Sequence, residues 1–327
     1  MRRLLKRIAP ALQLTRVTVA FAVIANTWFV ILWTRANPHN EGRPALLVEQ
    51  PLWLLLGAAA MVAIGLFTFG VALNDILDLK RDRLLRPQRP LAAGRIGLEQ
   101  ALPVVVGTMI VAVLGATAFG TRAVLMTLAI QAAILVYNAA GKFIPAIGLV
   151  VLGLIYAGHM LIPNLGLKFL WPVWLVMTHA LLVGAVSHRM ARKVPRLSRR
   201  AIAGAVMGWA FWSAVLLWRQ WKLSGASSIW PDWVSISAAA WPAALALLFV
   251  LVSWRRVLKY GSGPRVAEKI ERYGALWLSF YACAWFVGTD HLDAALILGI
   301  LSIVAVVGMT VLREGYSLLE QPMGFRR

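Results

Sequence analysis

Long apolar runs recur along the chain, with only short polar breaks between them. A helix needs about 20 residues to cross roughly 30 Å of hydrocarbon, and tilt or neighbouring helices accommodate shorter runs. On that basis the pattern predicts ten helical spans: Val17 to Trp33, Leu52 to Leu73, Ala101 to Phe119, Ala123 to Tyr137, Ile144 to Leu161, Phe169 to Val186, Ala201 to Trp218, Val234 to Ser253, Gly274 to Val287 and Ala294 to Leu312. The basic residues sit in the breaks. With the N-terminus inside and the loops allotted alternately, 27 Lys and Arg fall on the inner face and 6 on the outer. Adding or losing one span in mid-chain would spoil that split, which follows the positive-inside rule. The expectation is an all-α, polytopic bundle, one integral-membrane domain over residues 1–327, with both termini cytoplasmic. Met1 to Arg7 ahead of an apolar run could pass for a signal peptide. The run ends at Trp33-Thr34-Arg35 without a small-residue cleavage pattern, so a retained first helix is expected.

Composition narrows the class. Of 327 residues 60% are apolar and 14% charged, far from the roughly 45–50% and 25% of soluble domains. That excludes a disordered tail, a disulfide scaffold and an ordinary cytosolic enzyme. The formal net charge of +20 would suggest nucleic acid only if the cations shared one soluble surface. They do not, so no nucleic-acid partner is expected, and the charge reads as topology with some attraction to anionic membrane lipid. The single cysteine, Cys283, can make no intrachain disulfide and no thiolate cluster.

The main acidic cluster beside a span is Asn74-Asp75-Ile76-Leu77-Asp78-Leu79-Lys80-Arg81-Asp82, at the end of the second. If the helix continues, Asn74, Asp78 and Asp82 are four residues apart, and Asp75 precedes Asp78 by three, so all four project within about a third of the circumference. Three carboxylates on one face call for a cation. Such oxygen ligands suit Mg²⁺, a hard ion commonly held by one or two carboxylates plus water and substrate phosphates. A charged helix end whose acids pair with Lys80, Arg81 and Arg83 is the plainer alternative. Next come Arg86-Pro87-Gln88-Arg89-Pro90-Leu91 and Gly94-Arg95-Ile96. The prolines break the helix, Gly94 permits a tight turn, and the arginines offer planar forks for phosphate oxygens. Carboxylates for a metal beside arginines for phosphate point to a diphosphate ligand.

This stretch resembles the first aspartate-rich motif of the UbiA superfamily of intramembrane prenyltransferases, which lies after the second span in that family. Arg16, before the first span, and Tyr137-Asn138 with Lys142, after the fourth, also resemble family positions near the diphosphate. The resemblance implies a helical bundle of nine spans around a central cavity. It implies Mg²⁺ at Asp75, Asp78 and Asp82, the catalytic residues, with Asn74, Arg86 and Arg89 on the diphosphate. The substrates implied are a prenyl diphosphate donor and a lipophilic acceptor, in a bacterial-type inner membrane.

Two features depart from that family pattern. The family's second aspartate-rich motif belongs at the end of the sixth span, where this chain reads Ser187-His188-Arg189-Met190-Ala191-Arg192-Lys193; no Asp or Glu occurs between Glu99 and Asp232. Either Arg189, Arg192 and Lys193 bind the diphosphate directly, or the chain is a non-catalytic binder or carrier of an isoprenoid or pigment precursor. The other departure is the count of ten runs against nine. Within the spans, Asn26, Gln131, His159, Asn164 and His179 could line a cavity, though interhelical hydrogen bonding is the commoner use.

Overall fold

The computed structural model describes residues 14, 17–225 and 228–320, with side chains left out at 17–22, 309 and 312–320. Among them are twelve α-helices and no strand: α1 Val17–Ala36, α2 Ala45–Val48, α3 Leu52–Leu77, α4 Leu79–Leu85, α5 Leu98–Thr117, α6 Thr121–Ala139, α7 Pro145–Leu161, α8 Trp171–Met190, α9 Arg199–Ser224, α10 Ala240–Tyr260, α11 Pro264–Gly288 and α12 Leu292–Glu320. Each of the ten predicted runs corresponds to one of the ten longer helices. Six of these, α3, α5, α6, α8, α9 and α10 (the last with the short 3-10 turn Ile236–Ala239 before it), are long and apolar enough to cross a membrane; α7 and the Leu292–Gly308 part of α12 are shorter apolar helices. The chain is an integral membrane protein.

Local chemistry sets several helix ends. Proline occupies the first turn of α7, α8 and α11, where its missing N–H costs nothing. The Ser198 hydroxyl accepts the Ala201 N–H at the start of α9, and Gly225, at φ +61°, ends it in the left-handed conformation. The α11 helix begins ten residues before the predicted span. Its first turns carry Arg265, Glu268, Lys269, Glu271 and Arg272 on an amphipathic surface that an apolar-run criterion passes over.

Packing closes a ring: α1 meets α3, α3 meets α6, then α7, α8 and α11 follow in turn, and α11 returns to α1. α5, α9, α10 and α12 flank it, on α3, α7, α11 and α1 respectively. The α3–α5 seam is the tightest. A Cβ on Gly65 would stand 2.7 Å from the Ala112 nitrogen, and one on Gly115 would stand 2.6 Å from the Ala58 carbonyl oxygen. Close backbone approach of this kind is how membrane helices gain packing energy where lipid competes for every apolar surface.

The end of the ring away from Asp78 is filled by aromatic side chains. Trp33 stacks on Phe29 and Phe169, and Phe286, Trp233, Trp230 and Trp285 complete the cluster. A void lined by Asn26, Phe29, Tyr281 and Trp285 among others has about 10 Å³, room for one water at most. Glu41 clasps the same end: its buried carboxylate accepts from Trp33 Nε1 at 2.9 Å, the Lys168 N–H at 2.7 Å and the Phe169 N–H at 3.2 Å. Burial pushes the Glu41 carboxyl above the ordinary range, against the opposing pull of those donors and the Lys168 charge. A raised folded-state pKa means the folded protein holds this proton more tightly than the unfolded chain. Its contribution to stability is therefore complete below the unfolded value and is lost as pH rises through the folded one. Glu41→Gln, which keeps a carbonyl acceptor, should make thermal unfolding in detergent less sensitive to pH from mildly acid to neutral conditions; an unchanged profile would mean the carboxyl does not titrate there.

Candidate functional site

Asp78 marks the junction of α3 and α4. Asp78, at φ −89° and ψ 5°, separates the two helices, yet its N–H donates to the Asn74 carbonyl and Asp82 N–H donates to that of Asp78. The helical register predicted from spacing therefore persists through the acidic stretch. After Leu85 the prolines end the helix, and Gly94, at φ +69°, turns the chain; Leu91 and Ile96 anchor this loop in the bundle.

The acidic side chains sort into two pairs. Arg89 Nη1 donates to Asp75 Oδ1 at 2.8 Å and to Asp82 Oδ2 at 2.5 Å, joining loop, α3 and α4. Asp75 and Asp82 are both buried. On the other side, Lys142 Nζ donates to Asp78 Oδ1 at 2.8 Å and to Asn74 Oδ1 at 3.0 Å. Lys142 reaches them from the 3-10 turn Gly141–Phe143, which Asn138 helps to seat by donating from Nδ2 to the Gly70 carbonyl at 3.2 Å. Spacing alone predicts one face with three carboxylates. Among the described residues that face is instead divided between the side-chain cations of Arg89 and Lys142.

The remaining predicted residues are distributed unevenly. Tyr137, half-buried near the end of α6, lies within electrostatic reach of both Asp78 and Glu271. Arg86, Arg189 and Arg192 are exposed. Lys193 forms an ion pair with Glu271 at 3.2 Å, about half exposed on the Glu271 side. Arg16 lies outside the described residues. The polar residues inside the spans are mostly spent on packing: Gln131 donates to the Met109 carbonyl, Asn164 to Thr34, and His179 bonds Tyr281 and the Gly274 carbonyl.

Glu271 is the acid that sequence reasoning passed over. It stands on α11 next to the end of α8, where Ser187 Oγ also donates to the Ala267 carbonyl at 3.4 Å. Pro264, a helix-starting proline ahead of an amphipathic stretch, was the available signal that Glu271 would be helical.

Whether these residues suit Mg²⁺ depends on how many protein ligands the ion is asked to take. Among the described residues no three His, Cys, Asp or Glu side chains surround one point, so a metal held by Asp75, Asp78 and Asp82 together does not match the arrangement. A sparser site does fit. The oxygens of Asp78 and Asn74 already converge on the Lys142 ammonium, a built-in stand-in cation, and Mg²⁺ commonly takes only one or two protein carboxylates.

No protein-family model matches the sequence, and no curated protein is significantly similar to it. Solved structures are similar in fold. A structure from work on digeranylgeranylglyceryl phosphate synthase in membranes has 18% identity and a TM-score of 0.52, covering 86% of this chain and 98% of its own. A UbiA homologue from Archaeoglobus fulgidus has 14% identity and a TM-score of 0.53, over 86% of this chain and 99% of its own. Another, from Aeropyrum pernix K1, has 17% identity and a TM-score of 0.52, over 80% and 95%. The chain therefore has the membrane fold of UbiA homologues.

Proposed function

We propose that the protein transfers a prenyl chain from a prenyl diphosphate to a lipophilic acceptor within the membrane, with the acidic end of the bundle facing the cytoplasm. The observation that carries this reading is the Asn74, Asp78 and Lys142 cluster, set beside the Arg89 clasp at one end of an apolar helical ring. The fold shared with the digeranylgeranylglyceryl phosphate synthase structure supports it.

Each residue then has a task. Asp75 and Asp82 with Arg89 hold the loop that carries the exposed Arg86. Asp78 and Asn74 would hold Mg²⁺, which supplies charge neutralisation for the departing pyrophosphate. Lys142, drawn from the acids, donates to the diphosphate, and the exposed Arg189 and Arg192 add fixed positive charge in place of the second acidic motif. The allylic C–O bond breaks and pyrophosphate leaves with the electron pair. The acceptor nucleophile forms the new bond to carbon and releases a proton. Tyr137 offers an aromatic face to the allylic cation, and the apolar helices keep water away.

The test is pyrophosphate release by the purified protein with geranylgeranyl diphosphate, Mg²⁺ and a panel of lipophilic acceptors. Asp78→Asn should reduce it about 100-fold or more. One observation favours the second reading, a carrier without turnover: the end of α8 holds no acid, and each carboxylate of the first motif is already paired with Arg89 or Lys142. Donor binding without pyrophosphate release for any acceptor would establish that reading and refute the first.

A further inference from the structure

At the same end of the bundle as Asp78, where α10 runs into α11, cations gather without matching anions. Arg256 lies over the rings of both Tyr260 and Tyr273, at 5.0 and 5.4 Å, and its Nη2 donates to the Tyr273 hydroxyl at 3.0 Å. Arg272 stands over Tyr273 at 5.9 Å, while Lys259 and Lys269 stand over Tyr260 at 5.4 and 5.8 Å. Four cations thus share two tyrosines. The Nε atoms of Arg256 and Arg272 and the Ser253 hydroxyl are shut off from solvent, yet have no hydrogen-bond partner among the described residues. Neither arginine pairs with a carboxylate among the described residues. Glu268, one turn before Arg272, is exposed and forms no ion pair among the described residues, and Glu271 is taken by Lys193.

Topology alone explains why basic residues lie on this side. It does not explain why the Nε–H donors of two guanidinium groups are buried and left without acceptors among the described residues, since such groups ordinarily find them. Like charges drawn around shared rings also repel one another until an anion sits among them. The geometry points to a binding site for an anionic phospholipid headgroup, its phosphate oxygens taking the donors of Arg256 and Arg272. The surroundings favour lipid over a soluble anion. Trp254, Leu258 and Tyr260 are all exposed beside the cluster on α10, the mixed aromatic and apolar surface of a helix emerging at the membrane interface. Basic pockets between helices at this level are suited to anionic headgroups.

The experiment uses the full chain purified in detergent and titrated with phosphatidylglycerol, phosphatidylcholine or inorganic phosphate, with bound lipid counted by native mass spectrometry and stability followed by tryptophan fluorescence on heating. Phosphatidylglycerol should bind and stabilise, and phosphatidylcholine should not. R256Q with R272Q should weaken phosphatidylglycerol binding about tenfold or more. Should the double variant fail to fold, the milder Lys269→Gln should still weaken it measurably. Arg122→Gln, an exposed cation at the start of α6 and so at the opposite end of the bundle, should leave it unchanged. Equal binding of the two lipids, or full binding by R256Q/R272Q, would overturn the assignment. Protection by inorganic phosphate alone would also overturn it, in favour of a soluble ligand.

Discussion

Replacing Arg89 by alanine is expected to destabilise the protein by about 3–5 kcal/mol, the cost of removing one partner from a buried ion pair. Asp75 and Asp82 are 3% and 8% exposed at the side chain, and a single guanidinium nitrogen serves both. Without it, two negative charges face each other in a site with little water. The loop from Pro87 to Ile96 also loses its tether to α3 and α4. The pair itself need not add net stability, because desolvation offsets much of the attraction. That gives the prediction a second half: Asp75→Asn with Asp82→Asn, combined with Arg89→Leu, should recover most of the loss. Thermal unfolding in detergent measures both. Arg89→Ala melting at the wild-type temperature would mean the clasp is not intact in the native protein. Arg89→Lys should fall between, because an ammonium replaces a planar fork with a point charge.

Helix existence was readable because crossing a membrane imposes one strong pattern, and every predicted run became a helix. Helix ends were less readable wherever charge rather than apolarity decides them. The charged turns of α11 lie outside an apolar run, and Val234 begins not α10 but the approach to a short 3-10 turn. In the acidic stretch, spacing correctly gave the helical register. It could not give the partners, because Lys142 comes from 60 or more residues away in sequence and Arg89 from beyond the helix-ending Pro87. Which cation meets which acid is decided by how α3, α6 and the loop pack, and residue spacing within one helix contains no such information. The aromatic filling around Trp33 was hidden for a different reason: tryptophans spaced along an apolar run look the same whether they face lipid or each other.

Lys142→Met should lower the maximal rate of prenyl transfer while lowering the Mg²⁺ concentration needed to reach half of it. The two effects have one origin. In the structure the Lys142 ammonium occupies the point on which the Asp78 and Asn74 oxygens converge, so any cation binding there must displace it. Removing the ammonium removes that competition, and the metal should bind at lower concentration. Once displaced, however, the ammonium is the nearest mobile positive charge to the diphosphate. Losing a charge-assisted contact of about 1.5–3 kcal/mol should slow the reaction roughly 10- to 150-fold. Lys142→Arg keeps the charge and should restore much of the rate, whereas the methionine variant should not. The fold should tolerate the change better than Arg89→Ala, because Asp78, at 14% side-chain exposure, is closer to water than Asp75 at 3%. A maximal rate that falls while the metal requirement stays the same or rises would contradict this competition. Such a result would leave Lys142 as a structural partner of Asp78 and move the metal site elsewhere on the chain.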